Sequence, residues 1–240
     1  MRIFPVRFSD ASHDRNAARQ RRIGGRLTDW RADGRRLAFD FFQSNGDEQI
    51  ATSQPNGSGM RTITTGPGIH EAPSWSPDGQ RIGFDYSPQS DPNTPGFETH
   101  LWTMHDDGAD TAPLPIANPG FDVEPRYAPN GRWIAFDRIR AASNTAQPQA
   151  VFIVAAGGGH ARQLTPWSQA AEHPTWSPDS RWITYDLPVG TIDEIHPDGR
   201  GHRTILAASN GWGFHKPSFS PDGRLILFMC AFNGAEAPAR

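Results

Sequence analysis

Cysteine is almost missing from this 240-residue chain. The single Cys230 rules out an intramolecular disulfide framework and a cysteine-based zinc site. No apolar run reaches the roughly 18 residues of a membrane-spanning helix, so no transmembrane segment is expected. Residues 1–26 also lack the apolar stretch of a signal peptide and carry seven arginines instead. The formal net charge is only −3, which gives no general attraction to nucleic acid or to anionic membranes. No Gly-x-Ser-x-Gly elbow occurs, so no serine nucleophile and no other catalytic residue can be assigned. The run of three glycines at 157–159 reads as a hairpin turn and opens no helix, so it is not a phosphate loop.

What is present is turn chemistry and aromatics: 24 Gly, 22 Pro and 8 Trp, a mixture suited to many short strands rather than long helices. Self-comparison is the informative step. Segments 28–40, 73–85, 125–137, 174–186 and 217–229 align without gaps, led by Trp30, Trp75, Tyr127, Trp176 and Phe219. The most regular copy reads Pro-Ser-Trp-Ser-Pro-Asp-Gly-Gln-Arg-Ile-Gly-Phe-Asp. Its Ser-Pro-Asp-Gly step fits a tight turn: Pro presets the first corner, Asp bonds nearby amides and Gly takes the last conformation. Apolar residues then alternate, as in a strand with one buried face. The expected core positions are Leu37, Ile82, Ile134, Ile183 and Ile226, then Phe39, Phe84, Phe136, Tyr185 and Phe228.

Third strands are expected at 49–53, 100–104, 150–154 and 191–195, and fourth strands at 61–64, 111–115, 162–165 and 203–206. Each repeat then becomes a four-stranded antiparallel sheet, one blade of a β-propeller. The fifth copy runs out after two strands. Residues 2–8 and 19–23 can supply its third and fourth, which would close a five-bladed ring and leave no open edge. The expectation is an all-β fold: one propeller domain over residues 1–240, with repeat cores near 28–64, 73–115, 125–165, 174–206 and 217–231, the last completed by 1–25. A fragment of a six-bladed ring is the alternative.

The Trp-Ser-Pro-Asp-Gly hairpin, the Ile-x-Phe strand and the later Asp-Gly turn resemble the repeats of the TolB-like, WD-related propeller family. They are also similar to propellers attached to prolyl-oligopeptidase-type peptidases and to oligogalacturonate lyases. The resemblance implies the fold more firmly than a function, since one scaffold hosts binding modules and enzymes alike. It implies an interaction hub of the bacterial cell envelope, hence an extracytoplasmic place.

In a propeller the inter-blade loops surround one mouth of the central channel, where function is expected. Here those loops are assigned to 65–71, 117–124, 166–173 and 207–215, carrying His70, Glu71, Phe121, Asp122, Glu124, Trp167, Glu172, His173, Trp212, Phe214 and His215. Three readings compete. The polar residues line a solvated channel; or they form a pocket for a protein, peptide or glycan, with Trp167, Trp212 and Phe214 as walls and Glu71, Glu124, Glu172, His173 and His215 as polar contacts; or His70, His173, His215 and Glu172 hold a divalent metal. The expected function is a non-catalytic binding or scaffold module without cofactor. The alternative is a metal-assisted, carbohydrate-active enzyme like the oligogalacturonate lyases. Asp40, Asp85, Asp137 and Asp186 follow the core aromatics of the first four repeats, with Met229 in the fifth, and a structural, hydrogen-bonding role is expected of them. Cys230 is expected to be buried.

Overall fold

The computed structural model describes residues 2–5, 27–91, 94, 96–140 and 148–232. Each Ser-Pro-Asp-Gly step builds its own turn. In the second repeat the Ser76 hydroxyl donates to Asp78 (2.6 Å) and accepts from the Arg81 amide (2.9 Å), while Asp78 accepts the Gln80 amide (3.0 Å). Gly79 ends the turn at φ 69°, a left-handed conformation that glycine enters without a Cβ clash. The Ser–Asp bond recurs at Ser177 with Asp179 and at Ser220 with Asp222, each 2.6 Å.

The strands that these turns connect are β1 (Arg2–Pro5), followed by five successive units. The first unit holds β2 (Thr28–Trp30), β3 (Leu37–Phe42), β4 (Glu48–Ser53) and β5 (Arg61–Thr62). The second holds β6 (Ile69–Trp75), β7 (Arg81–Ser87), β8 (His100–His105) and β9 (Ala112–Pro113). The third holds β10 (Phe121–Tyr127), β11 (Trp133–Ile139), β12 (Gln149–Ala155) and β13 (Arg162–Gln163). The fourth holds β14 (Glu172–Trp176), β15 (Ile183–Asp186), β16 (Ile192–Ile195) and β17 (Arg203–Leu206), and the fifth β18 (Trp212–Phe219) and β19 (Leu225–Phe232). In the first four units consecutive strands pair antiparallel. A single parallel bridge from Glu48 to Ile69 links the first two sheets. The first strands stand side by side in chain order: β2 by β6, β6 by β10, β10 by β14, β14 by β18.

The alternating apolar positions form the core. Phe39, Phe84, Phe136 and Tyr185 are at most 1% exposed, and Ile82, Ile134, Ile183 and Ile226 equally so; Leu37 is half-buried at the edge of the first unit. The fourth strand of the fourth unit spans the expected 203–206, whereas those of the first and third units are shorter than expected and a threonine side chain takes the place of backbone pairing. The Thr64 hydroxyl accepts the Ile50 amide (2.8 Å) and the Thr165 hydroxyl accepts the Val151 amide (2.9 Å). Cys230 is half-buried and packs against the small core of the fifth unit, not sealed within it.

The N-terminal strand corrects one expectation. β1 does join β19, but it runs parallel to it, Arg2 opposite Leu225 through Pro5 opposite Phe228, whereas the third strand of an antiparallel blade would run the other way. Residues 6–8 and the fourth-strand segment 19–23 lie outside the described residues.

Candidate functional site

The residues assigned to inter-blade loops turn out to belong largely to the first strands. Ile69, His70 and Glu71 are in β6, Phe121 to Glu124 in β10, Glu172 and His173 in β14, and Trp212 to His215 in β18. The reason is a bulge. Each of these strands has a proline two residues before its lead aromatic: Pro73, Pro125, Pro174 and Pro217. A proline has no N–H to give to the ladder. The register skips there, between Glu71 and Ser74, Val123 and Arg126, Glu172 and Thr175, and His215 and Ser218. The residue just before each proline is left-handed: Ala72 (φ 54°), Glu124 (52°), His173 (55°) and Lys216 (51°).

The bulge frees an amide, and the periodic aspartate of the preceding unit catches it. Asp40 accepts the Ala72 amide (3.3 Å), Asp137 the His173 amide (2.9 Å) and Asp186 the Lys216 amide (3.1 Å). These aspartates therefore latch neighbouring units at the upper, bulged end of the first strands, in accord with the structural role expected of them. At the lower end a second set of ties runs from Trp75 to Asp29 (amide to carboxylate, 2.6 Å) and from Tyr127 to Ser74 (amide to hydroxyl, 3.1 Å).

Asp85 departs from the pattern. It is 1% exposed, yet neither of its carboxylate oxygens has a hydrogen-bond partner among the described residues. Burial, reinforced by the charges of Glu71 and Glu124, pushes its carboxyl well above the ordinary carboxylate range. Burial, then the charge of Glu124, does the same to Asp137.

Asp186 shows the opposite extreme. Besides the Lys216 amide it takes His173 Nδ1 on one oxygen and His215 Nδ1 on the other, both at 3.0 Å. A carboxylate can only accept, so each imidazole presents its Nδ1–H. The far side of the His173 ring, Nε2, lies 3.7 Å from Glu124, which in turn lies 3.9 Å from Arg126. Burial alone would lower the His173 pKa. The hydrogen bond to Asp186 and the charges of Glu124, Asp186 and Asp137 outweigh it and hold the value up at about 9. His173 is therefore an imidazolium at neutral pH, itself the cation among these carboxylates.

Next to this cluster a cavity of about 530 Å³ opens at the upper end. Its acidic lining is Glu48, Glu71, Asp85 and Glu124, its aromatic walls are Phe42, Phe97 and Phe121, and Leu27 and Lys216 reach it from the first and fifth units. Phe97 and Phe121 pack at 5.7 Å, the former delivered by the long loop between β7 and β8. Among the described residues two trios could hold a cation, each with ligand atoms within 4.8 Å of one another: Glu172 with His173 and Asp186, and Asp40 with Glu48 and Glu71.

The structure thus brings Glu124, Glu172, His173 and His215 together around Asp186 and Asp137, and puts Glu71 in the cavity. His70 lies apart: it is 5% exposed, bonds the Glu48 carbonyl through Nδ1 (3.1 Å) and packs against Tyr86 with tilted rings 4.4 Å apart. Trp167, Trp212 and Phe214 are not in the cavity lining. Trp167, in a short 3-10 turn (Trp167–Gln169), packs on Phe152, Trp212 on Phe232 and Phe214 edge-on to Phe228. Sequence reasoning missed Phe42, Phe97 and Asp85 as cavity residues. Only the periodicity of Asp85 drew notice, and periodicity alone pointed to structure.

The TolB beta propeller domain model matches residues 28–237, nearly the whole repeat region. The chain belongs to this propeller family. Among individual proteins, it is 28% identical over 123 residues to the uncharacterized peptidase YuxL of Bacillus subtilis strain 168, a stretch covering 51% of this chain and 18% of the peptidase. The crystal structure of TolB from Acinetobacter baumannii superposes with a TM-score of 0.63 at 21% identity, over 83% of this chain and 47% of TolB. An oligogalacturonate lyase in complex with manganese gives 0.64 at 14% identity, over 87% of this chain and 59% of the lyase. At these identities the two structures speak for the propeller fold alone. The chain spans about half or less of the length of TolB and of the peptidase.

Proposed function

We propose that residues 1–240 form one five-bladed propeller acting as a non-catalytic binding module, which takes a protein, peptide or glycan at the upper mouth of its channel. The observation that carries this reading is the cavity of about 530 Å³, where four acidic residues and three phenylalanines converge from different units. That size and that mixture of apolar wall and few polar groups are those of small-ligand sites, roughly 300–1,000 Å³. Glu71 and Glu124 contact the ligand directly, with Glu172, His173 and His215 bordering it. Trp167, Trp212 and Phe214 take part where the ligand extends beyond the cavity. The pairing of β1 with β19 supports completion of the last unit by N-terminal residues.

The test is a set of peptide and glycan arrays probed with the wild type and with a Phe121→Ala, Glu124→Gln double variant. Spots bound by the wild type and lost by the variant are expected. Arrays on which the two proteins behave alike would remove the mouth as the binding site.

One observation favours a second reading, a metal-assisted enzyme acting on a carbohydrate. The Glu172, His173 and Asp186 atoms lie within 4.8 Å, and the similar lyase fold is known with manganese. In that case these three residues, with His215, would hold a divalent ion that polarises a substrate oxygen. The geometry favours the binding reading, because both nitrogens of the His173 ring already face carboxylates. Thermal melts of metal-stripped protein with manganese, calcium and zinc separate the two. An ion at about a hundred times its dissociation constant adds about 2.7 kcal/mol. A shift in the wild type that is lost in a His173→Ala, His215→Ala variant would put the enzyme first.

A further inference from the structure

The cavity is too large for a bare ion and too acidic for an apolar ligand alone. Among the described residues, Glu48, Glu71, Asp85 and Glu124 line it beside one basic side chain, Lys216, which enters from the fifth unit. Glu124 is already engaged on its far side by His173 (3.7 Å) and Arg126 (3.9 Å), and Asp85 lies opposite Glu71 across the β6–β7 pair. Three of the four periodic aspartates accept the amide freed by the next unit's bulge. Asp85 alone does not, although Glu124 offers the corresponding left-handed residue. Its two oxygens are unpartnered among the described residues at 1% exposure, and the side chain lines the cavity. A buried acceptor left without a donor is costly, and the donor it lacks can be supplied from the cavity. The rings of Phe42, Phe97 and Phe121 around the same space favour a cation carried on an apolar body, through burial and through the ring faces.

We infer that the cavity binds a primary ammonium group attached to an apolar residue, the end of a peptide whose amine donates to Asp85 and Glu71 while its side chain packs on Phe97 and Phe121. This rests on the reading of the mouth as a peptide-binding site and names the chemistry it recognises. The ammonium has three donors, enough to give Asp85 the donor it lacks and to reach Glu71 opposite it, and the charge-assisted bonds are of the strong kind. Two sources offer this group, a free amino terminus and a lysine side chain.

Calorimetric titration of the full chain with three tripeptide amides distinguishes them: Phe-Leu-Ser with a free amine, the same peptide N-acetylated, and N-acetyl-Phe-Lys-Ser. The free amine is expected to bind, the acetylated twin about tenfold or more weakly, and the lysine peptide to match whichever source is the natural one. Asp85→Asn should erase the preference for the amine. Glu71→Gln provides the same reading should Asp85→Asn fail to fold. If the acetylated and free peptides bind equally, the ammonium site is overturned while the peptide-binding reading stands. If none of the three binds, both fall. If manganese or calcium binds with loss at Asp85→Asn and the peptides do not, the occupant is a metal ion and the inference is overturned.

Discussion

His173 keeps its proton at about pH 9 against an ordinary value of 6.5, and the direction of that shift fixes how stability must vary with pH. A folded-state pKa above the unfolded one contributes stability that is complete below about 6.5 and is lost as the pH rises through about 9. Asp85 and Asp137, raised by burial, push the same way, because the fold prefers their protonated forms. The melting temperature is therefore expected to fall between pH 6.5 and 9, and to fall less steeply in His173→Gln, as scanning calorimetry in matched buffers would record. The two aspartates at the extremes of the latch series should respond oppositely to amide replacement. Asp186 receives three donors, so Asp186→Asn turns an N–H toward donors and is expected to cost about 1–3 kcal/mol. Asp85 receives none among the described residues, and Asp85→Asn should leave stability near the wild-type value or raise it; urea titrations of both variants decide.

At the scale of the strand, the repeated element is a proline, the left-handed residue before it, and an aspartate one unit earlier. The left-handed conformation costs a residue with a Cβ roughly 1–2 kcal/mol. At Ala72 that strain is offset by a fully buried methyl, worth about 0.8 kcal/mol, and by the greater freedom of glycine in the unfolded chain, about 0.5–1 kcal/mol, so Ala72→Gly is expected to be close to neutral in denaturant unfolding. Strands, turns and core aromatics could be read in the sequence because their causes are local. Ser76, Asp78 and Gly79 build a turn from neighbours, and Ile82 and Phe84 reveal a buried face by alternation alone. The latch could not be read, because Asp40, Asp137 and Asp186 reach amides 32, 36 and 30 residues further on. The bulge that supplies those amides also explains why residues read as the ends of loops, such as Ile69–Glu71 and Phe121–Glu124, are the upper ends of strands. The candidate site divides along the same line. Glu71, Glu124, Glu172, His173 and His215 lie three or four residues before their lead aromatics and could be picked out. Phe42 and Phe97 come from the end of a second strand and from a long loop, where no periodicity marks them.

For the molecule as a whole, the N-terminal strand is the feature most open to test. β1 pairs with β19 over Arg2–Pro5, so removing residues 1–25 should expose the β19 edge, lower the melting temperature and promote self-association. Sedimentation together with thermal melts would detect both effects. The uneven latching has a mechanical consequence. Between the second and third units the lower tie from Tyr127 to Ser74 is made while the upper bond to Asp85 is not. That end is held instead by the Asp122 amide, which donates to the Thr99 carbonyl, and by His100 Nδ1 against the Gly120 carbonyl, both 3.0 Å. What the joint lacks is the carboxylate bolt, and a molecule seated in the cavity would supply it: amides of Ile69 and Val123 should exchange more slowly with deuterium once it is bound.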